Sequence, residues 1–174
     1  MPGETAYIGF GSNVGDRELK FKEVLRELGR LVGISVIKSS RLYETDPVGL
    51  SDEGSQFVNA VLAVRTDHSS RELMARLREI ELKLGKSPDH RSDLSRSIDL
   101  DLLLFGNLSL KESDLEIPHP RMHTRGFVLV PIAEIAPDAV HPTLDCTVSE
   151  LLGRISPKEL QGVRPLPVSI DTEN

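Results

Sequence analysis

Apolar positions recur along the chain in two periods, and the switches between them mark the elements. Thr5–Phe10 reads as a strand, stopped by the run Gly11-Ser12-Asn13-Val14-Gly15-Asp16. From Asp16 the period lengthens. Phe21, Val24, Leu25, Leu28, Leu31 and Val32 fall on one helical face, and Gly33 supplies a stop. Ile34–Glu44 reads as a second strand, followed by a turn-rich stretch from Thr45 to Gly54. Gln56–Thr66 alternates, with Val58, Ala60, Leu62 and Val64 directed one way and Phe57, Asn59 and Val61 the other. Ser69-Ser70-Arg71-Glu72 has capping-box spacing and opens a helix whose stripe is Leu73, Leu77, Ile80 and Leu84, ended by Gly85.

A polar loop from Lys86 to Arg96 then leads into the strand Ser97–Phe105, with Ile98, Leu100, Leu102 and Leu104 expected on one face. Gly106-Asn107 suits a tight hairpin. Short helices are expected near Phe127–Ile135 and after Thr147, where Thr147 and Glu150 again have capping-box spacing. Residues 1–157 read as a single domain and 158–174 as a loosely packed tail. The order β-α-β-β-α-β predicts an α+β ferredoxin-like sandwich. Its helices would lie on one face of an antiparallel sheet, with further helices added toward the C-terminus.

A chain of 174 residues suits one domain that buries roughly 70% of its unfolded surface, so its core needs no staples. The single Cys146 excludes an internal disulfide and a cysteine-rich metal site. A formal charge of −6 argues against a general nucleic-acid binder, although a few placed cations suffice for a small anionic substrate. No apolar run reaches membrane-spanning length, and Met1-Pro2-Gly3-Glu4 begins no signal peptide. The expectation is a cytoplasmic monomer acting on small molecules, with neither nucleic acid nor membrane as a partner.

The strongest chemical signal is Asp99 and Asp101. They project from the face of their strand opposite the leucines, their Cα atoms about 6.5–7 Å apart. Two such carboxylates repel unless a cation sits between them, and hard oxygen donors suit Mg²⁺. A solvated strand face is the alternative. Cations flank the pair: Lys86, His90, Arg91 and Arg96 before it, and His119, Arg121, His123 and Arg125 after it. A polyphosphate bound with Mg²⁺ needs that surrounding, though an acidic protein also carries ordinary surface arginines. Gly9–Gly15 matches neither a dinucleotide fingerprint nor a P-loop and reads as a structural turn. His119 is held between Pro118 and Pro120, either as loop architecture or as a fixed phosphate donor. Asn59, with Phe57 beside it and Thr45-Asp46-Pro47-Val48-Gly49 before it, could recognise a flat heterocycle; a satisfied surface amide is the other account.

Taken in order, the motifs are more specific than any one alone. They are Ala6-Tyr7-Ile8-Gly9 with Gly11-Ser12-Asn13, Tyr43-Glu44-Thr45 with Pro47-Val48-Gly49, and Phe57-Val58-Asn59. Ile80-Glu81 with Leu84-Gly85, Arg96-Ser97-Ile98-Asp99-Leu100-Asp101 and Ile117-Pro118-His119-Pro120-Arg121 follow. Arg125-Gly126-Phe127-Val128-Leu129 and Glu134-Ile135-Ala136-Pro137 end the series. Over roughly residues 5 to 152 the chain resembles the 6-hydroxymethyl-7,8-dihydropterin pyrophosphokinases of folate biosynthesis. The resemblance implies a ferredoxin-like fold and transfer of pyrophosphate from ATP to the pterin hydroxymethyl oxygen, with release of AMP. It implies that Asp99 and Asp101 hold two Mg²⁺ ions and that Arg96 and Lys86 act as catalytic cations. Glu81, Lys86, Arg96, Leu102, His119 and Arg125 then match ATP-site positions. Thr45, Asp46, Val48, Phe57, Asn59 and Phe127 fall at the pterin pocket, the ring stacked between the two phenylalanines.

The departures lie in the Lys86–Arg96 loop. Where family members commonly carry Arg-Trp-Gly-Pro-Arg, this chain has Ser92-Asp93-Leu94-Ser95-Arg96, and it contains no Trp. Lys86 replaces an arginine with a point charge, and Asp46 adds a charge at the pocket mouth. Two alternatives follow: a diverged relative with another acceptor or weak turnover, and a non-catalytic ferredoxin-like binding module. Aromatic residues at 4% argue against an RNA-binding sheet of the latter kind.

Overall fold

The computed structural model describes residues 3–12, 16–45, 57–85 and 98–166. β1 (Glu4–Ser12) leads to α1 (Arg17–Gly29), which starts on Asp16, whose carboxylate accepts the Leu19 N–H at 3.1 Å. α1 buries Phe21, Val24 and Leu28, the face that the apolar period marks. Gly33, at φ +84°, turns the chain into β2 (Ile34–Ser39).

β2 and β3 (Tyr43–Thr45) both lie antiparallel to β4 (Phe57–Thr66), β2 against its second half and β3 against its first. The continuous strand expected over Ile34–Glu44 is therefore broken at Ser40–Leu42. Ser40 explains the break: its N–H donates to the Val61 carbonyl, and its hydroxyl accepts the Val61 N–H, both at 2.9 Å. A side-chain oxygen replaces a backbone acceptor, so the chain leaves the ladder without orphaning Val61.

α2 (Ser70–Lys83) is capped by the Ser69 hydroxyl on the Glu72 N–H. β5 (Asp99–Phe105) returns antiparallel to β1. The strand order β2/β3-β4-β1-β5, with α1 and α2 packed on one face, is the expected ferredoxin-like arrangement. The first core joins Phe21, Leu28, Leu73 and Leu77 to Ile8, Phe10, Val58, Leu62 and Leu100.

The helices added toward the C-terminus cover the opposite face. α3 (Gly126–Ile135) and α4 (Val148–Leu152) close a second core of Val61, Leu103, Leu104, Met122, Leu129, Ile132, Val148 and Leu151. Val58 to Val64 are consequently buried without interruption, which removes the alternation of accessibility expected for β4. A bulge also moves Leu104 off the leucine face. Tyr7 stands opposite Leu104 and Ile8 opposite Leu102, so Leu103 has no partner and the side chains beyond it change sides.

Gly106, at φ +51°, makes the expected turn, with Leu108 N–H donating to the Phe105 carbonyl at 2.9 Å. The hairpin forms further on: β6 (Leu110–Lys111) pairs with β7 (Glu116–Ile117) and not back onto β5. β8 (Val140–His141) and β9 (Cys146–Thr147) form a second small hairpin, and Thr147 and Glu150 make the reciprocal capping box of α4. The stretch read as a loose tail carries α5 (Pro157–Gln161) and β10 (Val163–Pro165), which adds to the sheet beside β3.

Candidate active site

Cross-strand register brings Asn59, Asp99 and Asp101 together on the sheet face beneath α3, whereas Leu102 is buried in the first core and Glu81 lies on α2, on the other face. In antiparallel pairs, facing residues share a side. Asp99 stands opposite Gly11, Gly11 opposite Asn59, and Asn59 opposite Tyr43. In the next row Asp101 faces Gly9, which faces Val61. Asn59 and Asp99 are thus two strand spacings apart, about 9–10 Å. The strand between them carries glycine at both rows. A Cβ at Gly11 would stand only 3.2 Å from Asn59 Oδ1, and one at Gly9 3.5 Å from Leu103. The glycines keep a shallow floor between the amide and the acid pair.

On one side of this floor, Asn59 Nδ2 donates to Thr45 Oγ1 at 2.8 Å, with both residues buried. That bond leaves Asn59 Oδ1 turned to the Gly11 side and holds the amide plane. Thr45 faces Phe57 across the β3–β4 ladder. Phe127 lies in the first turn of α3, half-buried like Phe57. Arg125 lies over the Phe127 ring, 5.4 Å from its centroid, within cation–π range.

On the other side, Asp99 and Asp101 are half-buried on β5. The next inward residue, Leu100, is gripped from α2. Glu81, 1% exposed, accepts the Leu100 N–H at 2.7 Å, and Arg78 Nη1 donates to both Glu81 carboxylate oxygens at 2.7 and 2.8 Å. Arg78 also donates to the Leu100 carbonyl at 3.2 Å. The residue between the two aspartates is therefore held at both its N–H and its C=O. This buried bond to backbone is what the structure adds to the ATP-site role that the resemblance implies for Glu81. Arg78 carries no signal in the sequence beyond its helical spacing of three from Glu81.

His119 is tied to β5 through its N–H, which donates to the Leu103 carbonyl at 3.0 Å. Its Nδ1 accepts the Arg121 N–H at 3.1 Å, so the neutral ring carries its proton on Nε2 as a donor. Burial lowers the His119 pKa; Asp101 opposes that, and Arg125 and Arg121 reinforce it. His123 packs edge-on against His141, ring centroids 5.9 Å apart. Asp46, Val48, Lys86, His90, Arg91 and Arg96 lie outside the described residues.

Among the described residues, no three His, Cys, Asp or Glu side chains are grouped to hold an ion. The Asp99–Asp101 pair supplies only part of a coordination shell, made of hard oxygens, with the rest left for water or phosphate. That donor set fits Mg²⁺. Also among the described residues, no helix is long and apolar enough to cross a membrane.

The family model described as 7,8-dihydro-6-hydroxymethylpterin-pyrophosphokinase matches residues 7–137. The chain is 42% identical over 130 residues to the 2-amino-4-hydroxy-6-hydroxymethyldihydropteridine pyrophosphokinase of Bacillus subtilis, covering 75% of this chain and 77% of that one. It is 34% identical to the protein of the same description from Haemophilus influenzae, over 92% of this chain and 99% of that one. Some relatives are much longer: the match to the folic acid synthesis protein FOL1 of Dictyostelium discoideum, at 36% identity, covers 97% of this chain and only 25% of that protein. Among solved structures, a Plasmodium falciparum HPPK-DHPS triple mutant with STZ-DHP superposes with a TM-score of 0.75 at 15% identity, over 95% of this chain and 47% of that chain. The chain belongs to the 7,8-dihydro-6-hydroxymethylpterin-pyrophosphokinase family and is an ATP-dependent pyrophosphokinase.

Proposed function

We propose that this chain transfers the pyrophosphoryl group of ATP to the hydroxymethyl oxygen of 6-hydroxymethyl-7,8-dihydropterin, giving the pterin methyl diphosphate and AMP for folate synthesis. The observation that carries this reading is the shared floor, on which an oriented amide and a carboxylate pair stand two strands apart across Gly9 and Gly11. A flat ring seated at Asn59 would reach the acid pair with a short substituent.

Asp99 and Asp101 would hold two Mg²⁺ ions, which would neutralise the ATP phosphates and make the β-phosphorus open to attack. Thr45 fixes the Asn59 amide for the pterin edge, and Phe57 and Phe127 supply its faces. His119 donates from Nε2 as a neutral ring, and Arg125 adds charge beside the phosphates. The resemblance assigns Glu81, Leu102, Lys86 and Arg96 to ATP; Leu102 and Glu81 are buried, so their part is to shape and hold β5 beside the nucleotide. The resemblance also assigns Asp46 and Val48 to the pterin. Attack at phosphorus needs in-line positioning and charge neutralisation more than covalent help, and these groups provide both.

The test is product analysis of the purified protein with ATP, Mg²⁺ and the pterin. AMP formed one for one with pterin diphosphate supports the proposal. ATP cleavage that ignores the pterin refutes it.

A further inference from the structure

The mechanism makes no use of Glu134, yet its carboxylate accepts from both a tyrosine hydroxyl and a backbone N–H. It sits in the last turn of α3 and accepts the Tyr43 hydroxyl at 2.5 Å on Oε1. The Arg41 backbone N–H donates to its two oxygens at 3.2 and 3.1 Å. The Arg41 guanidinium lies over the Tyr43 ring, 5.7 Å from its centroid, and its Nε is 3.5 Å from Glu134 Oε1. Tyr43 itself is buried, so its hydroxyl has to find its partner within the protein.

Two alignments make this cluster more than a helix anchor. Phe127 and Glu134 are seven residues apart on α3, two turns along one face and about 10 Å in length. Tyr43 and Thr45 are two residues apart on β3 and so share a face. Tyr43 pairs with Asn59, and Thr45, which accepts the Asn59 amide, pairs with Phe57. The three-residue β3 therefore takes the pull of α3 at one end and orients Asn59 at the other.

We infer that Glu134, acting through Tyr43, is a positioning residue that sets the gap between Phe127 on α3 and the Thr45–Asn59 floor. The inference rests on reading those residues as the pterin slot. Glu134 touches neither substrate. It fixes the height of the slot, so its loss acts on pterin affinity and leaves the nucleotide side alone.

The experiment measures steady-state kinetics and ATP-analogue affinity for the full chain and four variants. Glu134→Ala should raise the pterin KM about tenfold, and Tyr43→Phe about threefold, with ATP-analogue affinity within about twofold of the parent. Glu134→Gln keeps an oxygen for the Tyr43 hydroxyl and should recover most of the loss. Tyr43→Phe deletes one oxygen within a preserved ring and carries the test where Glu134→Ala does not fold. Asn59→Ala separates the two levels of the argument. If it raises the pterin KM while Tyr43→Phe and Glu134→Ala change only thermal stability, the inference is overturned and the slot stands. If Asn59→Ala also leaves the pterin KM unchanged, the slot reading falls and the inference falls with it.

Discussion

Removing the Glu81 carboxylate tests whether the aspartate pair is held by the protein or merely placed on a strand. The group is 1% exposed and accepts the Leu100 N–H at 2.7 Å. A hydrogen bond to a charged acceptor contributes about 1.5–3 kcal/mol. Its ion pair reaches Arg78, whose side chain is half exposed, so solvent screening limits that part to about 0–1 kcal/mol. Glu81→Ala should then cost about 3 kcal/mol, a fall in Tm of roughly 6–12 °C for a chain of this length. Arg78→Ala leaves the buried carboxylate without its cation and should cost about 1–3 kcal/mol, and Glu81→Gln, which keeps an acceptor for Leu100, should cost less than Glu81→Ala. Calorimetric unfolding of the three variants, with ATP-analogue binding measured alongside, reads both consequences. Glu81→Ala melting within a degree of the parent, with nucleotide binding lost, would refute the strap and make Glu81 a ligand contact.

The other predictions concern the floor and the histidines. Asp99→Asn and Asp101→Asn should each abolish Mg²⁺-dependent turnover while far-ultraviolet circular dichroism stays unchanged; turnover near the parent rate sinks the metal assignment. Gly11→Ala would press a methyl against Asn59 Oδ1 at 3.2 Å and should raise the pterin KM severalfold with ATP affinity retained, read by the same kinetics. Burial holds both His119 and His141 below the ordinary histidine value of about 6.5. The unfolded chain therefore binds protons first as the pH drops. The stability contributed by the neutral rings is complete above about pH 6.5 and is lost as the pH falls through that value toward the lowered ones. Urea midpoints between pH 5 and 8 should show this slope, and His141→Asn should flatten it; an unchanged slope counts against a buried neutral ring.

Period alone makes the helices and the facing of Asp99 and Asp101 legible, because a helix face or a strand face is a local property. What escapes it involves residues far apart in the chain. Ser40 breaks a strand by bonding Val61, and the bulge at Leu103 depends on how β1 runs beside it. Leu104 therefore looks like a first-core residue in sequence and is a second-core residue in space. Tyr43 and Glu134 lie 91 positions apart, and neither carries a local sign of the other. Candidate site residues stand out by type and spacing, whereas Arg78 looks like an ordinary helix-surface charge, and Glu134, though it falls within a motif, shows no sign of its bond to Tyr43. The stretch after Pro157 is polar and lacks a period, so it reads as loose. Its place as β10 depends on β3 offering an unpaired edge.

That last strand has a consequence for how the protein behaves at high concentration. Unpaired strand borders invite other chains to add on, and aggregation begins there. Each border here is blunted. β10 is three residues long and ends in Pro165, which has no N–H to offer a further strand. β2 is interrupted by a bulge between Val36 and Lys38 and carries the lysine charge at that irregularity. β5 has its Leu100 N–H and C=O already occupied by Glu81 and Arg78. The same two side chains that hold the strand between the aspartates thus cover part of this border, and a variant stripped of them exposes a template for self-association beside the acid pair.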